Sequence, residues 1–532
     1  MKTKSALFFW SLIGFLIIVN LVVFDYTVLS SQASIRVQYT PDDTYYYLQL
    51  AKNFVKFGYW TFDSGISLAS GFHPLLAYLL ATIYGVFQPS IEQFVTIAIL
   101  LSSIPILLLV FSAWLKSTLT GASNSLLTLS LFVGAQSFLF NSVSGVEWSI
   151  VVVLATLYCS VFTQSPLPPN ASVKLFAIGL FLSLARSDAG LLPFSIFVAA
   201  SFFTILDHEE NYFALRSSLA GLAGSLSGVG LIFVNNYVFT GNIIQSSAKM
   251  KLHWGEFQEH LFVKSVIVIT RTVGFDLHLF PFSTLCFSLL IFIVIAYLLF
   301  FFCRLSKLMY IVWKTSPKMK RINNQSILYI ASYISIVAYL ALYARGGGGL
   351  QNWYTANFLV PMFVLFDGLI NFLVAYAPLK KGVAEVILSL FFLYTIFLNI
   401  LSVYPIAYKA PWPHQQVTLA AGQYLNNNYF DEKIASWNAG VIGYYHDGKV
   451  INIDGLVNES IHPYAVSNRL PAYLKQENIL YVIDFQTMLM PVYAKRGGYD
   501  DLDFLEKLIP ITQFDEGQFP VWKYLTLYRI QY

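Results

Sequence analysis

The sequence predicts a polytopic α-helical membrane protein with a small C-terminal α/β domain outside the membrane. Of its 532 residues, 57% are hydrophobic and only 11% are charged, whereas about 25% of the residues of a soluble protein carry a charge. Polar residues become frequent only after residue 404, where helix and strand patterns alternate. Water cannot solvate a surface with so few charges, so most of the chain before that point must face lipid.

Apolar runs predict about eleven transmembrane helices, because each run approaches the ~20 residues that cross a bilayer core. The runs are residues 6–27, 93–115, 124–143, 147–164, 173–188, 190–206, 216–238, 278–303, 327–344, 355–376 and 383–404. The first run is longer than a signal-peptide core and no convincing cleavage site follows it, so we expect it to remain as an anchor. Residues 74–87 form an apolar run of only about 14 residues, which favours an interfacial or re-entrant helix.

Positive charge sets the predicted orientation, because cytoplasmic loops carry an excess of lysine and arginine. If residues 74–87 do not cross, the basic residues on the cytoplasmic side are Lys2, Lys4, Lys116, Lys174, Arg304, Lys307, Lys314, Lys318, Lys320, Arg321, Lys380 and Lys381. If residues 74–87 do cross, the densest basic cluster, at residues 304–321, would lie outside the cytoplasm. We therefore predict a cytoplasmic N-terminus, a transmembrane domain over residues 1–404 and an extracytoplasmic α/β domain over residues 405–532.

The predicted outer face holds residues 28–92, 239–277 and 345–354, together with the tail. In the tail, the patterns predict strands at 433–437, 449–453 and 479–484 and helices near 415–428 and 440–446. Asp454 and His446 lack a nucleophile–base pairing or metal-ligand spacing. We therefore expect the tail to bind an acceptor or support a lid, without chemistry of its own.

Two features exclude other functions. The net charge of +4 is small and dispersed, so no electrostatic footprint for a nucleic acid is present. Cys159, Cys286 and Cys303 lie in apolar runs, which indicates neither a disulfide framework nor a metal site.

The first outer loop carries an acidic pair, Asp42 and Asp43, directly after Pro41. The pair begins a predicted amphipathic helix in the membrane interface. Its two faces are Gln49, Lys52, Asn53 and Lys56 against Tyr47, Leu50, Ala51, Phe54 and Val55. An aspartate at this position caps a helix and complements its dipole. Alternatively, one carboxylate is a partly desolvated general base that activates a hydroxyl. Both roles can coexist, since one aspartate can cap the helix while its neighbour acts as the general base.

This arrangement resembles the GT-C superfamily of glycosyltransferases, which use polyprenyl-phosphate-linked sugars and include protein O-mannosyltransferases and the aminoarabinose transferase of lipid A. The resemblance lies in residues 42–47 (DDTYYY), 58–63 (GYWTFD) and 70–75 (SGFHPL), where Ser70 replaces an asparagine. It implies a GT-C fold over residues 1–404, with juxtamembrane helices in residues 28–92. It also implies that Asp42 is the catalytic base and Asp43 its helper, although a D-D pair leaves the order open.

The resemblance further implies that His73 contacts the donor phosphate, because a basic residue precedes the same proline in the aminoarabinose transferase. A histidine is only partly protonated near pH 7, and His73 could instead simply start a helix. The other cations expected at the phosphate are Arg186, Lys249, Lys251 and Arg345. Arg345 precedes four glycines, which permit an anion nest. Each of these cations also has an alternative role. Arg186 would pair with Asp188, the two lysines would be ordinary surface charges, and Arg345 would begin a flexible turn with an aromatic anchor.

Glu147, Asp188, Trp353 and Tyr354 are predicted to support the site. A carboxylate at membrane depth, such as that of Glu147, usually faces a cavity or a partner, and relatives carry an acidic residue here; the alternative is a helix cap. No metal is required in principle, because lysine and arginine can stabilise a leaving phosphate. Some relatives use a divalent ion, and Asp42, Asp43 and Glu147 are the ligands expected if one binds.

The predicted reaction transfers a sugar to an acceptor hydroxyl at the outer membrane face. In-line attack opposite the phosphate predicts inversion. The expected partners are a polyprenyl-phosphate sugar and membrane lipid, while the acceptor stays open between protein, lipid and glycan. The expected location is a bacterial inner or plasma membrane. One alternative is a transporter or lipid translocator, which predicts broken spans and two related halves. Another is an inactive binding or scaffold protein derived from a glycosyltransferase.

Overall fold

The computed structural model describes most of the chain and leaves out several internal stretches. The described residues are 4–120, 129, 132–133, 135–206, 208–257, 260–272, 324–345, 350–376, 410–515, 522 and 524–532. The predicted spans 278–303 and 383–404, much of span 124–143, the basic residues 304–321, Lys380, Lys381 and the glycines 346–349 lie outside them.

Helices build the described chain up to residue 376. They are α1 (Lys4–Ser30), α2 (Ala33–Arg36), α3 (Asp42–Phe57), α4 (Pro74–Phe87), α5 (Ile91–Thr120), α6 (Gln136–Ser142), α7 (Trp148–Phe162), α8 (Ala171–Ala185), α9 (Leu191–Leu206), α10 (His208–Thr240), α11 (Ser246–Gly255), α12 (Leu261–Thr272), α13 (Asn324–Arg345) and α14 (Ala356–Tyr376). Where a predicted span falls wholly on described residues, one of these helices occupies it.

Length and composition allow a membrane crossing for four stretches of the described helices: Ile91–Ser117, Ser187–Ile205, Tyr212–Thr240 and Asn324–Ala344. Shorter apolar helices accompany them, among them Pro74–Phe87. The predicted count of about eleven crossings is therefore not confirmed, and the orientation of the termini stays a prediction.

Helices α8 and α10 approach each other closely because glycine and serine line their interface. A Cβ at Gly224 would overlap the carbonyl oxygen of Phe176, and the hydroxyls of Ser183 and Ser225 lie 2.7 Å apart. Small residues let helix backbones approach in this way. The contact fixes the end of α8, where Arg186 follows.

Helix α3 differs from its predicted amphipathic pattern. It ends at Gly58, which adopts φ 79°, a left-handed conformation that glycine accommodates without strain. Gln49 and Asn53, both expected on the polar face, are buried. Asn53 donates hydrogen bonds to the carbonyl oxygens of Thr61 and Phe62, at 3.0 and 2.9 Å. At these two positions the protein covers the polar face of the helix, and Asn53 holds the following loop.

The C-terminal unit (residues 410–532) contains a five-stranded sheet in the order β2-β1-β3-β5-β4. Its strands are β1 (Lys433–Ser436), β2 (Lys449–Asn452), β3 (Tyr481–Phe485), β4 (Leu508–Asp515) and β5 (Tyr524–Ile530), and its helices are α15 (Gln415–Asn428), α16 (Ala439–His446), α17 (His462–Val466), α18 (Leu470–Gln476), α19 (Pro491–Gly497) and α20 (Leu502–Glu506). Strands β2, β1 and β3 are parallel, whereas β5 pairs antiparallel with both β3 and β4. The three strands and two helices predicted in the tail agree with β1, β2, β3, α15 and α16.

Side-chain hydrogen bonds, an ion pair and one close backbone contact dock the C-terminal unit against the first outer loop and α11. The Ser70 hydroxyl donates to Glu459 at 2.7 Å and accepts the backbone N–H of Ser246 at 3.0 Å. Lys249 forms an ion pair with the same Glu459. A Cβ at Gly71 would overlap the carbonyl oxygen of Leu456, so the loop and the unit approach to a distance that only glycine permits.

We therefore expect Gly71→Ala to loosen this docking. Overpacking of this kind destabilises a fold by about 1–3 kcal/mol, so the apparent melting temperature of the purified protein in detergent should fall. Gly230→Ala is the matched control, because a Cβ there meets open space and alanine favours a helix. Equal melting temperatures for both variants and the wild type would contradict the described contact.

Candidate active site

Two cavities meet between the first outer loop, α11 and the C-terminal unit. The Glu147 cavity is the one that His73 and Glu147 line, and the Asp454 cavity is the one that Trp254, Trp412 and Asp454 line. Six residues line both cavities: Asp43, Tyr46, Lys251, Trp353, Tyr354 and Leu456. The side chains on this shared wall can therefore act on molecules in either cavity.

The two aspartates of the acidic pair have different surroundings. The carboxylate of Asp42 accepts the backbone N–H groups of Gly440 and Val441, at 3.0 and 2.8 Å. These groups lie in the first turn of α16, where the helix dipole favours a negative charge. Burial raises the pKa of Asp42 to about 6, although these backbone hydrogen bonds act to lower it. Asp42 thus caps a helix, but one in the C-terminal unit rather than its own.

Asp43 lies one residue further and lines both cavities. Within the described part of the chain, no hydrogen bond engages its carboxylate. Burial raises the pKa of Asp43 to about 6; Lys251 counteracts this shift, and Glu147 adds to it. A desolvated carboxylate with a pKa near neutrality suits a general base. Asp42 lines only the Asp454 cavity, whereas Asp43 lines both cavities; which of the two acts as the base stays a prediction.

Arg186 is fully engaged by carboxylates. Its Nε and Nη2 atoms donate to the two oxygens of Asp188 at 3.0 and 2.9 Å, and its Nη1 atom donates to Oε1 of Glu147 at 2.7 Å. The guanidinium carbon also lies 4.3 Å from the centre of the Tyr354 ring. The alternative of an Arg186–Asp188 pair is thus present in the structure, and Glu147 belongs to the same network.

The two lysines of α11 point to different places. Lys251 contacts the Tyr354 hydroxyl and lines both cavities, whereas Lys249 pairs with Glu459 of the C-terminal unit. Side chains two residues apart on a helix point about 200° apart. The placement supports the predicted phosphate contact for Lys251 but not for Lys249.

His73 lines the Glu147 cavity as a neutral group. Its Nε2 atom lies 3.8 Å from Oε1 of Glu147, and its backbone N–H donates to the Tyr47 hydroxyl at 3.1 Å. Burial lowers the pKa of His73 to about 4, although Glu147 raises it. The imidazole therefore offers hydrogen bonds near pH 7 instead of the partial positive charge expected from the sequence.

Trp353 and Tyr354 lie in the short 3-10 turn Asn352–Thr355, and both are buried on the shared wall. Tyr354 stacks on Tyr343, with ring centres 5.6 Å apart. Both residues therefore line the two cavities, and their supporting role stays a prediction. Arg345 ends α13, but its side chain lies outside the described residues.

An apolar groove of about 700 Å³ runs between α9, α10 and α13. Apolar side chains such as Phe194, Leu226 and Leu342 line it, and it includes Asp188 and Leu252. Asp188 binds Arg186, and Leu252 follows Lys251 in the chain. The groove therefore leads from apolar helix surfaces to the charged cluster, which consists of Arg186, Asp188, Glu147 and Lys251.

Two of the three residues expected to bind a metal already have protein partners. Asp42 uses both carboxylate oxygens on backbone N–H groups, and Glu147 binds Arg186. Within the described ranges, no group of three or more His, Cys, Asp or Glu side chains is arranged to hold a metal ion.

Sequence reasoning missed several residues of the Asp454 cavity. Asp454 accepts a hydrogen bond from the Tyr46 hydroxyl at 3.2 Å, and Tyr46 follows the acidic pair by one helical turn. The DDTYYY stretch was the available signal for Tyr46. No local signal existed for Asp454, Trp254 or Trp412, because the fold brings them together from distant parts of the chain.

The fold and this site together define an integral membrane protein with the GT-C fold. Crystal structures of ArnT from Cupriavidus metallidurans share this architecture. The form bound to undecaprenyl phosphate has a TM-score of 0.51 and 10% identity, over 96% of this chain and 97% of ArnT. The apo form has a TM-score of 0.51 and 11% identity, over 97% of each chain. This likeness confirms the predicted fold.

Sequence comparisons add one match. A family model described as a domain of unknown function (DUF8728) matches residues 407–528, which cover most of the C-terminal unit. No curated protein matches the chain.

Proposed function

We propose that this protein transfers a sugar from a polyprenyl-phosphate donor to an acceptor hydroxyl at the outer membrane face, with Asp43 as general base. The observation that carries the proposal is the Asp43 carboxylate, which lines both cavities beside Lys251. The GT-C fold supports the reaction class, and ArnT, which shares that fold, was crystallised with undecaprenyl phosphate.

The apolar groove between α9, α10 and α13 is the proposed seat of the donor's polyprenyl tail. Its apolar lining suits isoprene units, and about 700 Å³ accommodates several of them. The groove includes Asp188, the partner of Arg186, so a tail in the groove carries the phosphate toward the charged cluster.

Lys251 is the proposed main contact of the donor phosphate. Arg186 already binds two carboxylates, whereas the hydrogen-bond partner of Lys251 is the Tyr354 hydroxyl. Burial acts to lower the pKa of Lys251, but Tyr354 and Asp43 outweigh it, and the net shift is upward. The ammonium therefore stays charged at neutral pH. The neutral His73 can add a hydrogen bond.

In the proposed step, the acceptor oxygen attacks the anomeric carbon on the side opposite the phosphate. Asp43 takes the hydroxyl proton while the bond between the anomeric carbon and the phosphate oxygen breaks. Polyprenyl phosphate leaves with the electron pair, and Lys251 stabilises the new negative charge. In-line displacement inverts the anomeric configuration. The transferred group is a hexose or a pentose, and the step requires no divalent ion because Lys251 and Arg186 supply positive charge.

Replacing each aspartate by asparagine tests the assignment of the base. We expect Asp43→Asn to reduce transfer by about 10²–10⁴-fold, the usual contribution of a general base, without lowering the apparent melting temperature. Asp42→Asn is the matched control, and it should mainly lower that temperature because it weakens the contact with α16. The assay supplies membranes with a panel of radiolabelled polyprenyl-phosphate hexoses and pentoses. Full activity of Asp43→Asn, or binding of the lipid without transfer by the wild type, would overturn the proposal.

The pH dependence provides a second test. The base must be deprotonated, and burial raises the pKa of Asp43 to about 6, so kcat/KM should fall as the pH decreases through that value. Glu147→Gln removes a negative neighbour and should move the acidic limb to lower pH. Lys251→Met removes a positive neighbour and should move the limb to higher pH. A limb that neither substitution shifts would mean that another group titrates.

Removal of divalent ions tests the proposed charge stabilisation. Because Lys251 and Arg186 supply the positive charge, we expect the same rate of transfer in EDTA as in added Mg²⁺ or Mn²⁺. Inhibition by EDTA that either ion reverses would show that a metal takes part in the step.

A further inference from the structure

We propose that the Asp454 cavity binds a saccharide, and that the acceptor hydroxyl is therefore a sugar hydroxyl. This inference rests on the proposed function and identifies the chemistry of the acceptor. It assigns to the C-terminal unit a part of the wall that recognises the acceptor, namely Trp412, Asn438 and Asp454, while the first outer loop supplies the base.

Aromatic faces make one part of this wall. Trp254, Trp353 and Trp412 line the cavity, and the rings of Trp353 and Trp412 lie 5.9 Å apart at 60°, which forms a corner. The C–H face of a sugar ring packs on such rings, because aromatic faces combine apolar area with a negative quadrupole. A lone serine or threonine side chain offers no comparable ring.

Arg496, a residue of the C-terminal unit, holds one of these indoles, that of Trp254. The guanidinium carbon of Arg496 lies 4.5 Å from the centre of the Trp254 ring and 4.8 Å from that of Tyr493. Cation–π contacts of this kind stabilise a ring in one orientation. Contacts within the protein therefore hold the Trp254 ring in this orientation.

Polar groups of the same cavity suit the hydroxyls of a sugar. Asp454 accepts the Leu456 N–H through Oδ1 at 2.7 Å and the Tyr46 hydroxyl through Oδ2 at 3.2 Å, which fixes the carboxylate at the wall. A fixed carboxylate has further lone pairs for neighbouring hydroxyls. The side chain of Asn438, which also lines the cavity, is held by a hydrogen bond from its Nδ2 atom to Asp484 at 2.8 Å.

Charge favours a neutral or amino sugar over an anionic acceptor. Asp42, Asp43 and Asp454 line the cavity against the single cation Lys251 among its described lining, and the proposed donor phosphate already engages that lysine. An acidic headgroup would meet repulsion there. Because Asp43 lies on the wall shared with the Glu147 cavity, a sugar in the Asp454 cavity can bring a hydroxyl to the base.

Binding and transfer are measured separately on the full-length protein in nanodiscs. The binding probes are maltotriose, mannotriose, triacetylchitotriose and a glycolipid extract of the native membrane, followed by tryptophan fluorescence. The transfer acceptors are the same saccharides and a serine/threonine peptide. We expect a saccharide to bind and to accept the label. A free trisaccharide and the glycolipid extract distinguish a soluble glycan from a lipid-linked one.

Two variants test the cavity itself. Trp254→Leu and Asp454→Asn should each raise the KM for the saccharide about tenfold, the loss of roughly 1.4 kcal/mol of binding, with an unchanged Kd for the labelled donor. Asp431→Asn, an exposed aspartate on the C-terminal unit, is the control and should change neither constant.

Label on the peptide, binding of no saccharide, or a lower kcat with an unaltered KM would overturn this inference. Failure of the proposed function looks different: no acceptor then receives label from any donor, whereas saccharide binding by fluorescence persists.

Discussion

The contact between Asp42 and the first turn of α16 is the interaction on which the site depends. Two backbone N–H groups, of Gly440 and Val441, bind the carboxylate, and a hydrogen bond to a charged group contributes about 1.5–3 kcal/mol. The contact joins the first outer loop to the C-terminal unit and fixes the start of α3. Because the next residue points elsewhere on the helix, Asp43 is left at the wall of both cavities. Under the proposed function, the acidic pair thus divides a structural and a chemical role between neighbours.

The electrostatic balance around Asp43 follows from the same arrangement. Lys251 and Arg186 face the carboxylates of Asp43, Glu147 and Asp188, so the described cluster carries one more negative than positive charge. When Asp43 takes a proton, that excess disappears at the moment when negative charge develops on the leaving phosphate. In the proposed step, proton transfer and departure of the phosphate therefore compensate each other in charge.

The sequence allowed a good prediction of what local patterns determine. Apolar runs predicted the long apolar helices but not α11 and α12, and the tail patterns predicted β1, β2 and β3. The acidic pair, Glu147, Lys251, Trp353 and Tyr354 each line one or both of the same two cavities. Long-range contacts decided the rest. Asn53 is buried because it binds the 61–62 loop, Lys249 pairs with Glu459, and Asp454 reaches the site through Tyr46. Strands β5 and β4 lacked a clear local signal, because β5 depends on pairing with β3 and the edge strand β4 depends on pairing with β5.

A structure of the protein bound to a polyprenyl phosphate tests the central assignment most directly. The account predicts the tail between α9, α10 and α13, the phosphate within hydrogen-bonding distance of Lys251, and the Asp43 carboxylate facing that phosphate across the shared wall. The contact between Asp42 and α16 should persist. A phosphate far from Lys251, or an Asp43 carboxylate turned away from both cavities while Asp42 faces them, would contradict the account.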